Sequence, residues 1–189
     1  MNGPSRRMGG IIIRRATPAD VVGIAHVWRS SRPDHANLAD ALELDGLPAC
    51  YPVTLVAVQG DGETVGWLDG TVESRGLADE LNPNGIPAPH AFVSEIDVHP
   101  KHRRKGIGRA LFHTLVALAD EAGVILIGLR AQEDEDLAHR QAFFRSVGLA
   151  LLDGTGWVGD VRTLARKSKS AVDIACVSSM ANGLIGEER

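Results

Sequence analysis

Apolar positions along the chain switch between β-like runs and helical spacing, and the switches outline a series of elements. Ile11, Ile12 and Ile13 form a β-branched run that predicts a strand, and the run stops at Thr17-Pro18-Ala19-Asp20. Thr17 is placed there to cap a helix, with Pro18 at its first position and Asp20 at its third. Val21, Ile24, Ala25, Val27 and Trp28 then recur at helical spacing until Ser30-Ser31-Arg32-Pro33. A weaker helical pattern passes through Leu38, Leu42 and Leu44. Val53 to Val58 and Val65 to Val72 are two β-rich runs joined by Gln59-Gly60-Asp61-Gly62-Glu63, the pattern of an antiparallel hairpin. Residues 75–91 carry Gly76, Pro83, Gly85, Pro87 and Pro89 without periodicity and predict a long surface loop, a kind of segment that usually binds something or moves.

Phe92 to Val98 predicts a strand ending at His99-Pro100. Ile107, Leu111, Leu115, Leu118 and Ala122 make one stripe of a helix from about Gly108 to Gly123, with Gly123 placed to end it. The uninterrupted Val124-Ile125-Leu126-Ile127-Gly128-Leu129 is expected as a strand covered on both faces and parallel to its neighbour, so a strand, helix, strand crossover results. Leu137 to Val147 predicts a further helix closed by Gly148, and two short strands are expected at Leu149 to Leu152 and Val161 to Ala165. Between them, Gly154-Thr155-Gly156-Trp157-Val158-Gly159 matches the dinucleotide fingerprint but reads as a turn, because no helix follows and too little chain remains for a βαβ unit. The first ten residues are Gly-rich and unpatterned and are expected to be a disordered leader; residues 167–189 form a tail of unread role. A single α/β domain over residues 11–166 is the expectation.

Composition narrows the partners. Hydrophobic residues make up 44% and charged residues 23% of 189, and 20 Lys+Arg against 24 Asp+Glu give −4, which excludes a globally basic nucleic-acid binder. Cys50 and Cys176 stand in no metal-ligand spacing and fit a reducing compartment, so free thiols and a cytoplasmic location are expected. No apolar stretch approaches the about 20 residues that cross a bilayer, so no membrane partner is expected. His99, His102 and His113 lack carboxylates at ligand spacing, and no metal is expected. Trp28, Tyr51 and Trp67 are assigned to core or rim packing.

The chemistry concentrates in EIDVHPKHRRKGIGRALF, residues 95–112. Gly106 and Gly108 let backbone approach a ligand, and amides at a helix start form a site for phosphate oxygens. Arg103, Arg104 and Lys105 add neutralising charge, so the turn suits a pyrophosphate. A solvated charge run and a nucleic-acid patch are the competing readings; no interleaved aromatics support the latter. The acidic run Glu133-Asp134-Glu135-Asp136 is a solvated helix start or a lure for a cationic amine.

Arg103-Arg104-Lys105-Gly106-Ile107-Gly108 matches the acyl-CoA signature of the GNAT superfamily of acetyl-CoA dependent N-acetyltransferases, and the chain resembles that family in order of elements as well. IRRATPAD near the start, the central hairpin, Ile96-Asp97-Val98-His99-Pro100 and FFRSVGL near the end are similar to family landmarks, so the resemblance spans residues 11 to 166. It implies a mixed, mostly antiparallel sheet with a V-shaped split between two central parallel strands. It also implies that Ile96, Asp97 and Val98 lie at the cofactor, with backbone groups of Ile96 and Val98 bonding the pantetheine arm as an extra strand would, and that amides of Arg104, Lys105, Gly106, Ile107, Gly108 and Arg109 hold the pyrophosphate beside Arg103. Acetyl-CoA is then the co-substrate and an amine the acceptor, in a monomer or homodimer. Glu95 is the expected base. Strict alternation would put Phe92, Ser94, Ile96 and Val98 on one face and Val93, Glu95 and Asp97 on the other, and only one face meets the acceptor directly. The family commonly places a Tyr where this chain has Phe144, beside the cofactor, and phenylalanine cannot protonate a leaving thiolate. The expected acceptor wall comprises residues 28–50 and 75–91, with Asp34, His35, Glu43 and Asp45. The implied activity is acetyl transfer to a primary amine of a small molecule; a catalytically silent acyl-CoA binding module and a protein N-terminal or lysine acetyltransferase are the alternatives.

Overall fold

The computed structural model describes residues 6–8, 10–31, 50–74, 89–132 and 136–168. In chain order these form β1 (Arg6–Met8), β2 (Ile11–Arg15), α1 (Val21–Ser31), β3 (Cys50–Gln59), β4 (Thr64–Ser74), β5 (His90–Val98), α2 (Ile107–Glu121), β6 (Leu126–Arg130), α3 (Leu137–Val147), β7 (Ala150–Asp153) and β8 (Gly156–Asp160). A final helix, α4, covers 161–168. The described strands join one sheet in the order β1-β2-β3-β4-β5-β6-β8-β7. Only the β5–β6 pair among them is parallel; the rest are antiparallel. This is the mixed, mostly antiparallel α/β architecture that the order of elements implies.

Two apolar layers cover the sheet. On one face α1 lays Ile24, Val27 and Trp28 on Val56, Val58 and Trp67. On the other, the stripe Ile107, Leu111, Leu115 and Leu118 of α2 packs on Ile13, Leu55, Leu68 and Val93, and α3 adds Phe144 and Val147. Ala122, placed on the stripe by spacing, is instead the exposed C-cap. The start of α1 is organised as Thr17 and Asp20 predict. A 3-10 turn over Pro18–Asp20 precedes it, and Asp20 Oδ2 accepts from the Thr17 amide at 2.7 Å and the Thr17 hydroxyl at 2.8 Å. Arg14 closes the arrangement with two bonds to the same carboxylate, of 2.7 and 2.8 Å.

Several expectations are corrected. Residues 6–8, placed in a disordered leader, pair with β2 as an edge strand. β5 begins at His90, inside the segment read as loop. The strand expected at Val161 to Ala165 is α4: Asp160 accepts the Thr163 amide at 2.7 Å as a helix cap, and Val161, Leu164 and Ala165 are buried at helical spacing. The last strand lies earlier, at Gly156–Asp160, inside the glycine pattern read as a turn; only Gly154 and Thr155 turn. Gly159 leaves room for two core leucines: a Cβ there would come within 2.7 Å of Leu164 and 2.9 Å of Leu149, which would have to shift. The helix expected through Leu38, Leu42 and Leu44, residues 75–88, the Tyr51 side chain and the tail beyond 168 lie outside the described residues.

Candidate active site

Strand β5 is the axis of the site. It pairs with β6 from His90↔Leu126 to Val93↔Leu129, and from Ser94 onward no described strand lies on that side. On its other side β5 follows β4, but between Asp69↔Glu95 and Gly70↔Val93 the register slips by one, leaving Ser94 as an unmatched bulge. Gly70 makes the bulge possible, since a Cβ there would collide with the Phe92 carbonyl oxygen. The bulge changes which side chains share a face. Ala91 and Val93 before it, and Ile96 and Val98 after it, all pack into the core beneath α2. Strict alternation along β5, which would set Val93 with Glu95 and Asp97, is therefore wrong. Asp97 and Glu95 stand opposite Trp67 and Asp69, on the α1 face with the Trp67 cluster.

Glu95 thus has a neighbour that the linear pattern conceals. Across β3, β4 and β5 the register aligns Thr54, Asp69 and Glu95 in one row. Thr54 donates its hydroxyl to Asp69 Oδ1 at 2.8 Å. Burial pushes the Asp69 carboxyl above its ordinary value, the Thr54 bond opposes that, and the charge of Glu95 adds to it. Both carboxylates are half-buried.

Beyond Val98 the chain makes a 3-10 turn over Pro100–His102, capped where His99 Nδ1 accepts the Lys101 amide at 3.3 Å. The signature follows. Arg104 (φ 64°) and Gly106 (φ 81°) are both left-handed, which turns the backbone tightly into α2. The first helical bond runs from the Ala110 amide to the Gly106 carbonyl at 3.0 Å, so the amides of Ile107, Gly108 and Arg109 precede the ladder. The Ile107 side chain is in the core, leaving only its backbone for a ligand. Arg104, Lys105 and Arg109 are exposed around this end. Arg103 behaves differently: its Nε donates to the Val98 carbonyl at 3.0 Å and its Nη2 to the Ser31 hydroxyl at 3.3 Å, fastening the turn to β5 and α1. Spacing suggested charge neutralisation for Arg103 and missed this tether.

Phe144 is buried in the core, its ring 5.4 Å from that of Trp157. The aromatic against the signature is Phe143, 3.5 Å from where a Cβ at Gly108 would stand. Sequence reasoning missed Phe143, Asp69 and Ser94; the lone glycine at 70 within a strand pattern was the available sign of a bulge. His99 stacks on His26 of α1 at 5.3 Å and meets His102 edge-on at 5.7 Å. Among the described residues no three His, Cys, Asp or Glu side chains are grouped to hold a metal ion, and no helix is long and apolar enough to cross a membrane. Asp34, His35, Glu43, Asp45 and Glu133 to Glu135 lie outside the described residues. Asp136, at the exposed start of α3, sits 3.7 Å from His139.

No curated protein sequence matches this chain. Its fold is similar to that of a GNAT-family protein from Desulfovibrio desulfuricans, at 17% identity and TM-score 0.63 over 80% of this chain and 99% of that one. It is similar to an aminoglycoside 6'-N-acetyltransferase complexed with coenzyme A, at 16% identity and TM-score 0.59 over 79% and 96% of the two chains. A GNAT family acetyltransferase from Brucella melitensis in complex with acetyl-CoA is similar at 19% identity and TM-score 0.54, over 79% and 87%. At these identities the likeness concerns fold alone. Sequence carries the assignment further, because the model of the acetyltransferase (GNAT) family matches residues 22–149, from the first turn of α1 through the end of α3, and includes the bulged strand and the turn that follows it. The chain belongs to the GNAT family of acetyltransferases.

Proposed function

We propose that the protein transfers an acetyl group from acetyl-CoA to a primary amine of a small molecule, by direct attack in a ternary complex. One observation carries the reading: β5, which runs on beyond its last pair with β6 at Val93, leads directly into a left-handed turn whose helical amides stand outside the ladder. A pyrophosphate suits that turn, because amides of Arg104, Lys105, Gly106, Ile107, Gly108 and Arg109 supply donors while the exposed cations offset its charge. The open edge at Ile96 and Val98 offers backbone groups to an amide-bearing pantetheine arm, as an added strand would, while Asp97 between them pairs with Trp67 of β4. The Val98 carbonyl already accepts from Arg103, and its second lone pair is available.

The thioester then lies beside residues 94–97. The amine nitrogen attacks its carbonyl carbon, a strand N–H stabilises the developing oxyanion, and Glu95 accepts the amine's proton. Phe144, where the family commonly has a Tyr, has no proton to give the leaving thiolate and is packed on Trp157. That same burial favours a second reading, a module that binds acyl-CoA without turnover. Calorimetry with coenzyme A and thiol release from acetyl-CoA with a panel of amines test both. Binding with thiol release is expected; binding without release for any amine supports the module, and absence of binding overturns both.

A further inference from the structure

Asp69 is the charged group on the α1 face whose surroundings conflict most with its charge. Thr54 holds it from one side and Glu95 faces it from the other. The neighbours of Asp69 along the same face of β4 are Trp67 and Thr71, both buried, and the Trp67 indole N–H and Thr71 hydroxyl have no hydrogen-bond partner among the described residues. Folds rarely leave two such groups unbonded side by side, so their place on either side of Asp69 points to a polar guest, a water or a substrate group. The other titratable or charged groups on this face of the sheet are His90 and Asp97 on β5 and Arg14 on β2, opposite Val56; α1, packed over β4, carries His26 and Arg29, both exposed, and β3 presents Thr54 and Val56 without charge.

We propose that Asp69 is a positioning residue of the acetyl transfer, working through Glu95 as the second carboxylate to which the acceptor amine's proton passes. This rests on the acetyl-transfer reading. In the step, the amine nitrogen forms a bond to the thioester carbonyl carbon. The carbon–sulfur bond breaks with its electron pair on sulfur. The nitrogen's proton goes to Glu95 and on to Asp69, and from there to water when product leaves. Burial and the Glu95 charge favour a proton on Asp69, and the Thr54 hydroxyl opposes them.

The two influences on Asp69 have opposite signs, and the test uses them. The Asp69 carboxyl is titrated by carbon-13 NMR in the intact chain, in Glu95→Gln and in Thr54→Val, and the acid limb of thiol release from acetyl-CoA with the amine panel is recorded alongside. The wild-type carboxyl is expected to titrate above an ordinary aspartate. Glu95→Gln should move its midpoint down and Thr54→Val should move it up, with the acid limb following in Thr54→Val. Asp69→Asn, which still accepts the Thr54 bond, should lower kcat/KM by about 10²-fold and displace that limb, with acetyl-CoA affinity unchanged. An Asp69 that titrates ordinarily and ignores both substitutions, or an Asp69→Asn variant with the wild-type pH profile, overturns the proposal. Failure of acetyl-CoA to bind while Asp69 titrates as expected overturns the acetyl-transfer reading instead.

Discussion

Asp20, at the start of α1, and Asp69, in the middle of β4, are both drawn from water and both bonded by a threonine, but the two regions handle the charge in opposite ways. Asp20 receives the guanidinium of Arg14 as well as Thr17, and these hold its carboxyl down to about 2. Asp69 receives Thr54 and faces Glu95, so burial and repulsion push it up. The β2–α1 junction settles its charge locally and contributes stability. The β4–β5 row keeps a charge in conflict with its surroundings, as expected where a group must take up and release a proton.

The largest expected break in this contrast comes from the bulge that brings Glu95 to Asp69. Gly70→Ala sets a methyl against the Phe92 carbonyl and should destabilise the fold by about 3 kcal/mol in denaturant unfolding; wild-type stability would show that β5 bulges without glycine. Gly106→Val, at φ 81°, should weaken acetyl-CoA binding at least about tenfold, roughly 1.4 kcal/mol, in calorimetry. Undiminished affinity would remove the turn from the site. Asp20→Asn should lose on the order of 1 kcal/mol at neutral pH, since Arg14 is partly exposed. Because folding lowers the proton affinity of Asp20, that contribution is present above about 3.8 and lost as pH falls toward about 2, so wild type and variant should converge there. Asp69→Asn should do the reverse. Folding raises the proton affinity of Asp69, so its charge opposes folding at neutral pH, and the melting temperature should hold or rise. A fall in melting temperature comparable to that of Asp20→Asn would erase the distinction. Gly108→Ala is the mildest change, because its methyl meets Phe143 at ordinary contact distance; folding should be unaffected.

Much of this was legible in the chain. The stripe of α2, the apolar run of β6 and the Thr17-Pro18-Ala19-Asp20 start of α1 specify their elements locally, through period and caps. The glycine signature located the turn for the same reason. What stayed hidden is non-local or too short. Val161, Leu164 and Ala165 are too few to separate a strand from a helix by spacing, and three glycines masked β8. An aspartate in a strand reads as solvent-facing, and nothing near Asp69 in sequence announces that Glu95 lies opposite it; the pairing emerges only from the register of β4 on β5. The Arg103 tether is hidden likewise, since Ser31 is 72 residues away.

Ser94 acts as a spacer of one residue. Drawing it into the ladder, so that β5 ran straight past β4, would leave every side chain of β5 chemically unchanged while rotating the strand's far half by one step. Ile96 and Val98 would turn toward the α1 side, and Glu95 and Asp97 would be driven under α2 among Leu111 and Leu115. The residue held out of the ladder thus keeps the acid row on one side and the core uncharged, so the pairing of this strand matters to the candidate site as much as its composition.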